Sequence, residues 1–184
     1  MATPTRTRVT AEELLAMPDL GRYELVDGEL LERNVSKRSS RISTRLLIFL
    51  GQFVEANRLG VVFQSDLGLQ IFAQTSKVRF ADGSFYGNGH EEIPDGDGFL
   101  HTAPDLVFEV VSPNDISEDV EKKVAEYLEV GVRMVWVIHP DVRSVYVLRP
   151  AGLEARISGD GVLSGMDVVP GFELPLATLF QFQP

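Results

Sequence analysis

Hydrophobic and polar positions along the chain fall into short runs whose period changes several times, and each change marks an element. Thr10 followed by Glu13 forms a capping-box pattern that opens a short helix over residues 11–17, which Pro18 limits. In RYELVDGELLE, residues 22–32, two alternating segments flank Asp27-Gly28, the dipeptide that suits a two-residue type I′ turn, so a β-hairpin is expected near the N-terminus. Over residues 39–57 the period lengthens. Ile42, Leu46, Leu50, Phe53 and Val54 recur at three and four residues, which predicts an amphipathic helix with one buried stripe, closed by Gly60. Strand-like runs follow at 61–64, 67–72 and 78–86, the last interrupted by Gly83. Residues 87–99, GNGHEEIPDGDGF, read as a long exposed loop. Counted as a calcium loop from Asp95, its twelfth position is Leu106 where a Glu is required.

A strand over 105–111, a helix over 116–130 ended by Gly131 and a buried strand over 133–140 give the strand, helix, strand order of a parallel crossover on a sheet. A turn at Asp141, a strand at 144–148, a weaker strand at 154–157, a Gly-Asp-Gly turn and a turn of helix in PLATLF complete the pattern. No repeat, linker or low-complexity tract divides it. At 184 residues the expectation is one α/β domain over 1–184 with a single sizeable core.

The strand over 105–111 contains a misfit. APDLVFEVVSP places Glu109 inside an apolar strand, where a charge is costly unless it is paired, hydrogen-bonded or bound to a metal. Strand alternation sets Val107, Glu109 and Val111 on one face and Leu106, Phe108 and Val110 on the other. Asp105 shares the Glu109 face, but four residues of strand separate them by roughly 13 Å, too far to share one ion. A nearer partner must come from another strand, and Asp82 in KVRFADGSFYG is the best candidate. Two carboxylates from adjacent strands make an oxygen site suited to magnesium or manganese. On the following helix Ile116, Val120, Tyr127 and Val130 cluster within a stripe roughly 80° wide that includes Lys123 but not Lys122. A lysine there must snorkel or meet an acid, and Glu109 lies within its expected reach. A metal, two carboxylates and a lysine form a set able to hydrolyse a phosphodiester. A structural Glu109–Lys123 ion pair is the competing reading. Glu24 also alternates into the face opposite Tyr23 and Leu25, though its place near an exposed hairpin turn fits a solvated role equally well.

Charge narrows the partners. Lys and Arg total 17 against 27 Asp and Glu, a formal net charge of -10, so the whole-molecule field repels nucleic acid and anionic membranes. A polyanion must then use a local patch, and RNVSKRSSRISTR supplies one in Arg33, Lys37, Arg38, Arg41 and Arg45. Lys37, Arg41 and Arg45 are four apart on one helical face, where they oppose the helix dipole. Phosphate contact explains that cost; a solvated charged face is the alternative. His90, His101 and His139 have no ligand spacing and read as structural or solvated. The chain has no cysteine, no stretch of signal-peptide character in MATPTRTRVTAEELLAMP, and no run approaching the roughly 20 apolar residues of a membrane span. A cytoplasmic protein without a membrane partner is the expectation.

Four segments, RYELVDGELLE, PDLVFEVVSPND, DVEKKVAEYLEVGVRMVWVIHP and MDVVPGFELPLATLF, in this order and spacing resemble the Uma-two family, a bacterial group assigned to the PD-(D/E)XK nuclease superfamily. The resemblance covers nearly the whole chain. It implies a restriction-endonuclease-like fold, a central mixed β-sheet flanked by helices, and magnesium-dependent cleavage of DNA, with manganese as the other ion. It assigns Asp82 and Glu109 as metal ligands and Lys123 as the catalytic lysine, the last in a D-x-x-x-K-x-x-x-Y pattern reading Asp119, Lys123, Tyr127. Glu24 and Asp105 are candidates for the site edge, and Lys37, Arg38, Arg41 and Arg45 for nucleic-acid contact. Phe80-Ala81-Asp82 replaces the usual Arg-Pro-Asp, Ser39 stands nearest a usual His, and Gly83 is expected to loosen Asp82. A nuclease-like module that binds nucleic acid or protein without catalysis is the alternative function. DNA binding should be weak and steeply salt-dependent. The resemblance also makes a homodimer one option, since many enzymes of the superfamily pair two sites to cut two strands, with FELPLATLF as either an interface or a core cap.

Overall fold

The computed structural model describes residues 8–90, 93 and 96–181, and its centre is a six-stranded mixed sheet. Its strands in chain order are β3 (Gly60–Gln64), β4 (Gly83–Gly87), β5 (Leu106–Val110), β6 (Met134–His139), β7 (Ser144–Arg149) and β8 (Gly152–Ser158), and they are neighbours in that same order. Only β5 and β6 run parallel, joined through helix α3 (Ser117–Glu129); the other pairs are antiparallel. Helix α1 (Ala11–Leu15) and the hairpin β1 (Tyr23–Val26) and β2 (Glu29–Glu32) precede the long helix α2 (Lys37–Asn57). A two-stranded sheet of β9 (Val162–Ser164) and β10 (Glu173–Pro175) leads into helix α4 (Leu176–Phe180). Asp95, the residue from which the calcium loop was counted, lies outside the described residues.

The sheet separates two apolar layers, as the alternation in β5 and β6 demands. Leu106, Phe108, Val110, Trp136 and Ile138 pack with Ile42, Leu46, Leu50 and Val54 of α2. Val107, Val135 and Val137 pack on the opposite side with Val124 and Tyr127 of α3. Glu109 belongs by parity to the α3 layer, paired in register with Val137. The C-terminal FELPLATLF caps the core: Phe172, Leu174, Leu176, Leu179 and Phe180 are all buried against the α2 layer.

Several elements differ from the expected ones. The capping box of Thr10 and Glu13 is formed, but α1 ends at Leu15. Helix α2 starts two residues earlier than expected, because Ser36 caps it by accepting from the Ser39 N–H while Ser39 Oγ accepts from the Ser36 N–H. That box uses Ser where Glu or Gln is usual, so the sequence hid it. Arg58, not Gly60, takes the left-handed conformation that ends α2. Gly60 instead opens β3, and a Cβ there would lie 1.9 Å from the Tyr86 carbonyl oxygen. Runs 67–72 and 78–82 make no regular strand. They are held by single bridges, Leu69 to Arg79, Leu69 to Leu100 and Val78 to Leu25, which tie the N-terminal hairpin to the body of the fold. No helix among the described residues is long and apolar enough to cross a membrane.

Candidate active site

The floor of the site lies where β4 begins and β5 ends. Gly83 pairs with Phe108, so continuing the antiparallel register by one residue sets Asp82 opposite Glu109. Cross-strand neighbours have Cβ atoms about 5 Å apart. The side chain of Asp82 takes over the pairing there: its Oδ2 accepts a hydrogen bond from the Val110 backbone N–H at 2.7 Å. Gly83 does not loosen this junction. The Phe108 ring covers it so closely that a Cβ on Gly83 would sit 2.3 Å from the ring. Burial raises the Asp82 carboxyl above its ordinary value, against the opposing pull of Lys123 and of the Val110 N–H.

Lys123 reaches the same floor from α3. Its Nζ lies 2.9 Å from Glu109 Oε1 and 2.7 Å from Glu24 Oε1, and donates to the Phe80 carbonyl oxygen at 3.0 Å. Its side chain is 14% exposed, so it does not snorkel to solvent. Three acceptors match the three N–H donors of an ammonium group. Burial alone would lower the lysine pKa, but Glu109 and Glu24 outweigh it and raise it. Glu109 Oε1 also accepts from the Tyr127 hydroxyl at 3.0 Å, leaving Oε2 without a hydrogen-bond partner among the described residues. Burial, then the charges of Asp82 and Glu24, push the Glu109 carboxyl up to about 7 despite Lys123.

Glu24 is drawn in from β1 and is buried rather than solvated. Its Oε2 accepts from Arg79 Nη1 at 2.8 Å, and its Oε1 accepts from the Phe80 backbone N–H at 3.0 Å. Burial works against its ionisation, yet Lys123 and Arg79 hold its carboxyl down to about 2. The chain of charges continues outward: Arg79 donates through Nε and Nη2 to Glu126 Oε2, and Lys77 donates to Glu126 Oε1 at 2.8 Å. Six side chains thus alternate in sign from Lys77 through Glu126, Arg79, Glu24 and Lys123 to Glu109. Sequence reasoning missed Lys77, Arg79 and Glu126. The available signal was Arg79 between Val78 and Phe80, a cation inside an apolar alternation.

Other candidates lie elsewhere. Asp105 stands at the far end of β5, where its Oδ2 accepts from the Gly87 N–H and meets His90 Nε2 at 2.8 Å, while Oδ1 lies 3.2 Å from Arg133 Nη1. It lines a different cleft from Glu109. Of the basic face, Arg45 donates to the carbonyls of Thr178 and Leu179, and Arg38 donates to Asp141 and to the Pro140 carbonyl. The turns of α2 that border the site present Ser39, Ser40, Ser43 and Thr44 instead. Lys37 is exposed.

The carboxylates open into a cleft of about 700 Å³ walled by the hairpin, the first turns of α2 and α3. No group of three or more His, Asp or Glu side chains among the described residues is arranged to hold a metal ion. Two carboxylates nevertheless fit magnesium, which keeps several waters and commonly takes one or two protein carboxylates with substrate phosphate. Zinc, which wants three or four protein ligands, does not fit.

Comparison with known proteins agrees with this architecture. No curated protein matches the chain. The solved structure of a protein described as a "putative nuclease belonging to DUF820" from Anabaena variabilis ATCC 29413 superposes with a TM-score of 0.78 at 21% identity, covering 94% of this chain and 97% of that one. A family model described as "Putative restriction endonuclease" matches residues 11–177. The resemblance read from the four sequence segments therefore holds, the mixed sheet flanked by helices is the fold it implied, and the chain belongs to the Uma2 family.

Proposed function

We propose that the protein is a magnesium- or manganese-dependent endonuclease that hydrolyses DNA phosphodiester bonds within one restriction-endonuclease-like domain. The observation that carries this reading is the convergence of Asp82, Glu109 and Lys123 at the floor of one cleft, from three different elements. Asp82 and the free Oε2 of Glu109 are the groups that would hold the ion. A divalent ion, when bound, neutralises charge on the scissile phosphate and lowers the pKa of water. The protein's own part is positional. Glu24 keeps Lys123 charged and aimed, Tyr127 fixes the Glu109 carboxyl by its Oε1, and Lys123 orients an attacking water or meets the charge that develops on phosphate oxygen.

A carboxyl held near pH 7 by its surroundings is a group for which a cation can compete with the proton, which supports the metal assignment. The second reading, a module that binds nucleic acid or a protein without cutting, is favoured by one feature: all three Lys123 donors are already engaged by fixed protein acceptors.

Nicking of supercoiled plasmid by purified protein with magnesium, manganese or EDTA separates the two. Cleavage that requires metal and disappears in Glu109→Gln and in Lys123→Gln supports the nuclease. Binding of the same DNA with no cleavage under any metal supports the module. Lys123→Gln is the better variant than Lys123→Ala, because both remove the charge but the amide still offers hydrogen-bond donors to the buried Glu24 and Glu109 and fills more of the space.

A further inference from the structure

We propose that Arg33 is the phosphate receptor of the cleft, binding non-bridging oxygens of a nucleic-acid phosphodiester beside Asp82. The inference rests on the nuclease reading and deepens it. Most cations around the site have their donors committed: Lys123 to Glu24, Glu109 and Phe80, and Arg79 to Glu24 and Glu126. Lys122 sits on the exposed side of α3, with no fixed geometry around it. Arg33 differs from all of these.

Arg33 follows β2 and lines the cleft with a side chain only 13% exposed. Its Nη1 donates to the Gly21 carbonyl at 2.8 Å and to the Ser65 carbonyl at 3.3 Å, and the guanidinium lies over the Phe80 ring at 5.5 Å. Two backbone carbonyls and a ring therefore set the plane of the group before any ligand arrives. The opposite edge, formed by Nε and Nη2, is the side-on fork that matches two oxygens of a phosphate. That edge has one partner among the described residues, Asp82 Oδ1 at 3.4 Å. The distance is longer than the roughly 2.7 to 2.9 Å of a close charge-assisted bond, so the fork is held in place without being saturated. An anion approaching two buried carboxylates needs a preset cation at the wall, and Arg33 supplies one. Its order, fixed by the fold, lowers the entropy lost on binding.

The test is the salt dependence of binding to a short dye-labelled DNA duplex, with calcium in place of magnesium, for wild type, Arg33→Ala and Arg33→Lys. Thermal melts run alongside report folding. Arg33→Ala should bind about tenfold more weakly, and its slope of log affinity against log salt should be shallower by about 1. Arg33→Lys keeps the charge without the fork, so it should retain the wild-type slope while still losing affinity. If Arg33→Ala does not fold, the lysine variant alone still decides, since unchanged affinity there would overturn the fork. A purely structural Arg33 lowers the melting temperature of Arg33→Ala and leaves its affinity and slope unchanged, which overturns the inference while the nuclease reading stands. A wild type that neither binds nor cuts DNA overturns both.

Discussion

If Glu109 holds a cation as proposed, two demands on it oppose each other: its place at the cleft floor presents it to the ion, and its burial makes the ionised form costly to the fold. Its carboxyl titrates at about 7 in the folded protein against an ordinary value of 4.5. Between those values the folded state holds a proton that the unfolded state has released, so metal-free stability falls as pH rises from 4.5 through 7. The loss is on the order of 3 kcal/mol. Glu109→Gln, which cannot ionise, should melt above the wild type at pH 8 in EDTA and close to it at pH 5, while having no nuclease activity. Equal melting temperatures at pH 8 would mean that Lys123 alone keeps Glu109 ionised at no cost. Glu24 has the opposite sign. Its carboxyl lies at about 2, so its contribution is complete above 4.5 and is lost as pH falls through 2. Acid unfolding should therefore begin earlier in Glu24→Gln than in the wild type, with circular dichroism as the readout.

At the scale of elements, the junction of β4 with β5 fixes Asp82. Gly83 has the Phe108 ring laid directly on it, with Leu47 beyond, and Phe108 is fully buried. Gly83→Ala should cost about 2 kcal/mol by overpacking, seen as a lower urea midpoint, and should reduce plasmid nicking further than the unfolded fraction explains, because Asp82 moves with it. A wild-type midpoint would show that Phe108 swings aside freely. Elements of this kind were legible where local chemistry and tertiary use agree: the Asp27-Gly28 turn, the apolar stripe of α2, and the β5–α3–β6 crossover all follow from period and turn residues. Lys123 was legible because a cation on a packed helix face must find an acid, although Ile116, expected on the same stripe, caps α3 and is 63% exposed while Val124 is buried instead. The segments 67–82 were not, because their bridges depend on which distant strand end they meet. Arg45 misled for a related reason: a cation that holds the carbonyls of a helix 133 residues away looks, along the chain, like one waiting for phosphate.

Over the whole molecule, the formal charge of -10 understates how little positive charge is available to DNA. Arg22, Arg38, Arg45, Lys77, Arg79, Lys123, Arg133 and Arg149 are all engaged in ion pairs or carbonyl bonds. Lys37 and Lys122 are exposed, and Arg33 keeps one unsaturated edge beside Asp82; counterion release scales with the phosphates neutralised. Three contacts would give a slope of log affinity against log salt of about -3, shallow beside that of basic DNA-binding proteins, so the steep salt dependence expected from the sequence gives way to a modest one. Arg45 and Lys37 then part company despite sharing a helical face. Arg45→Ala removes charged hydrogen bonds that hold α4 to α2 and should lower stability by about 2 kcal/mol with the salt slope unchanged. Lys37→Ala should leave the melting temperature alone and make the slope shallower by about 1. The reverse pattern would return the basic face of α2 to the role its spacing first indicated, and would move the DNA path from the hairpin side of the cleft onto the outer surface of that helix.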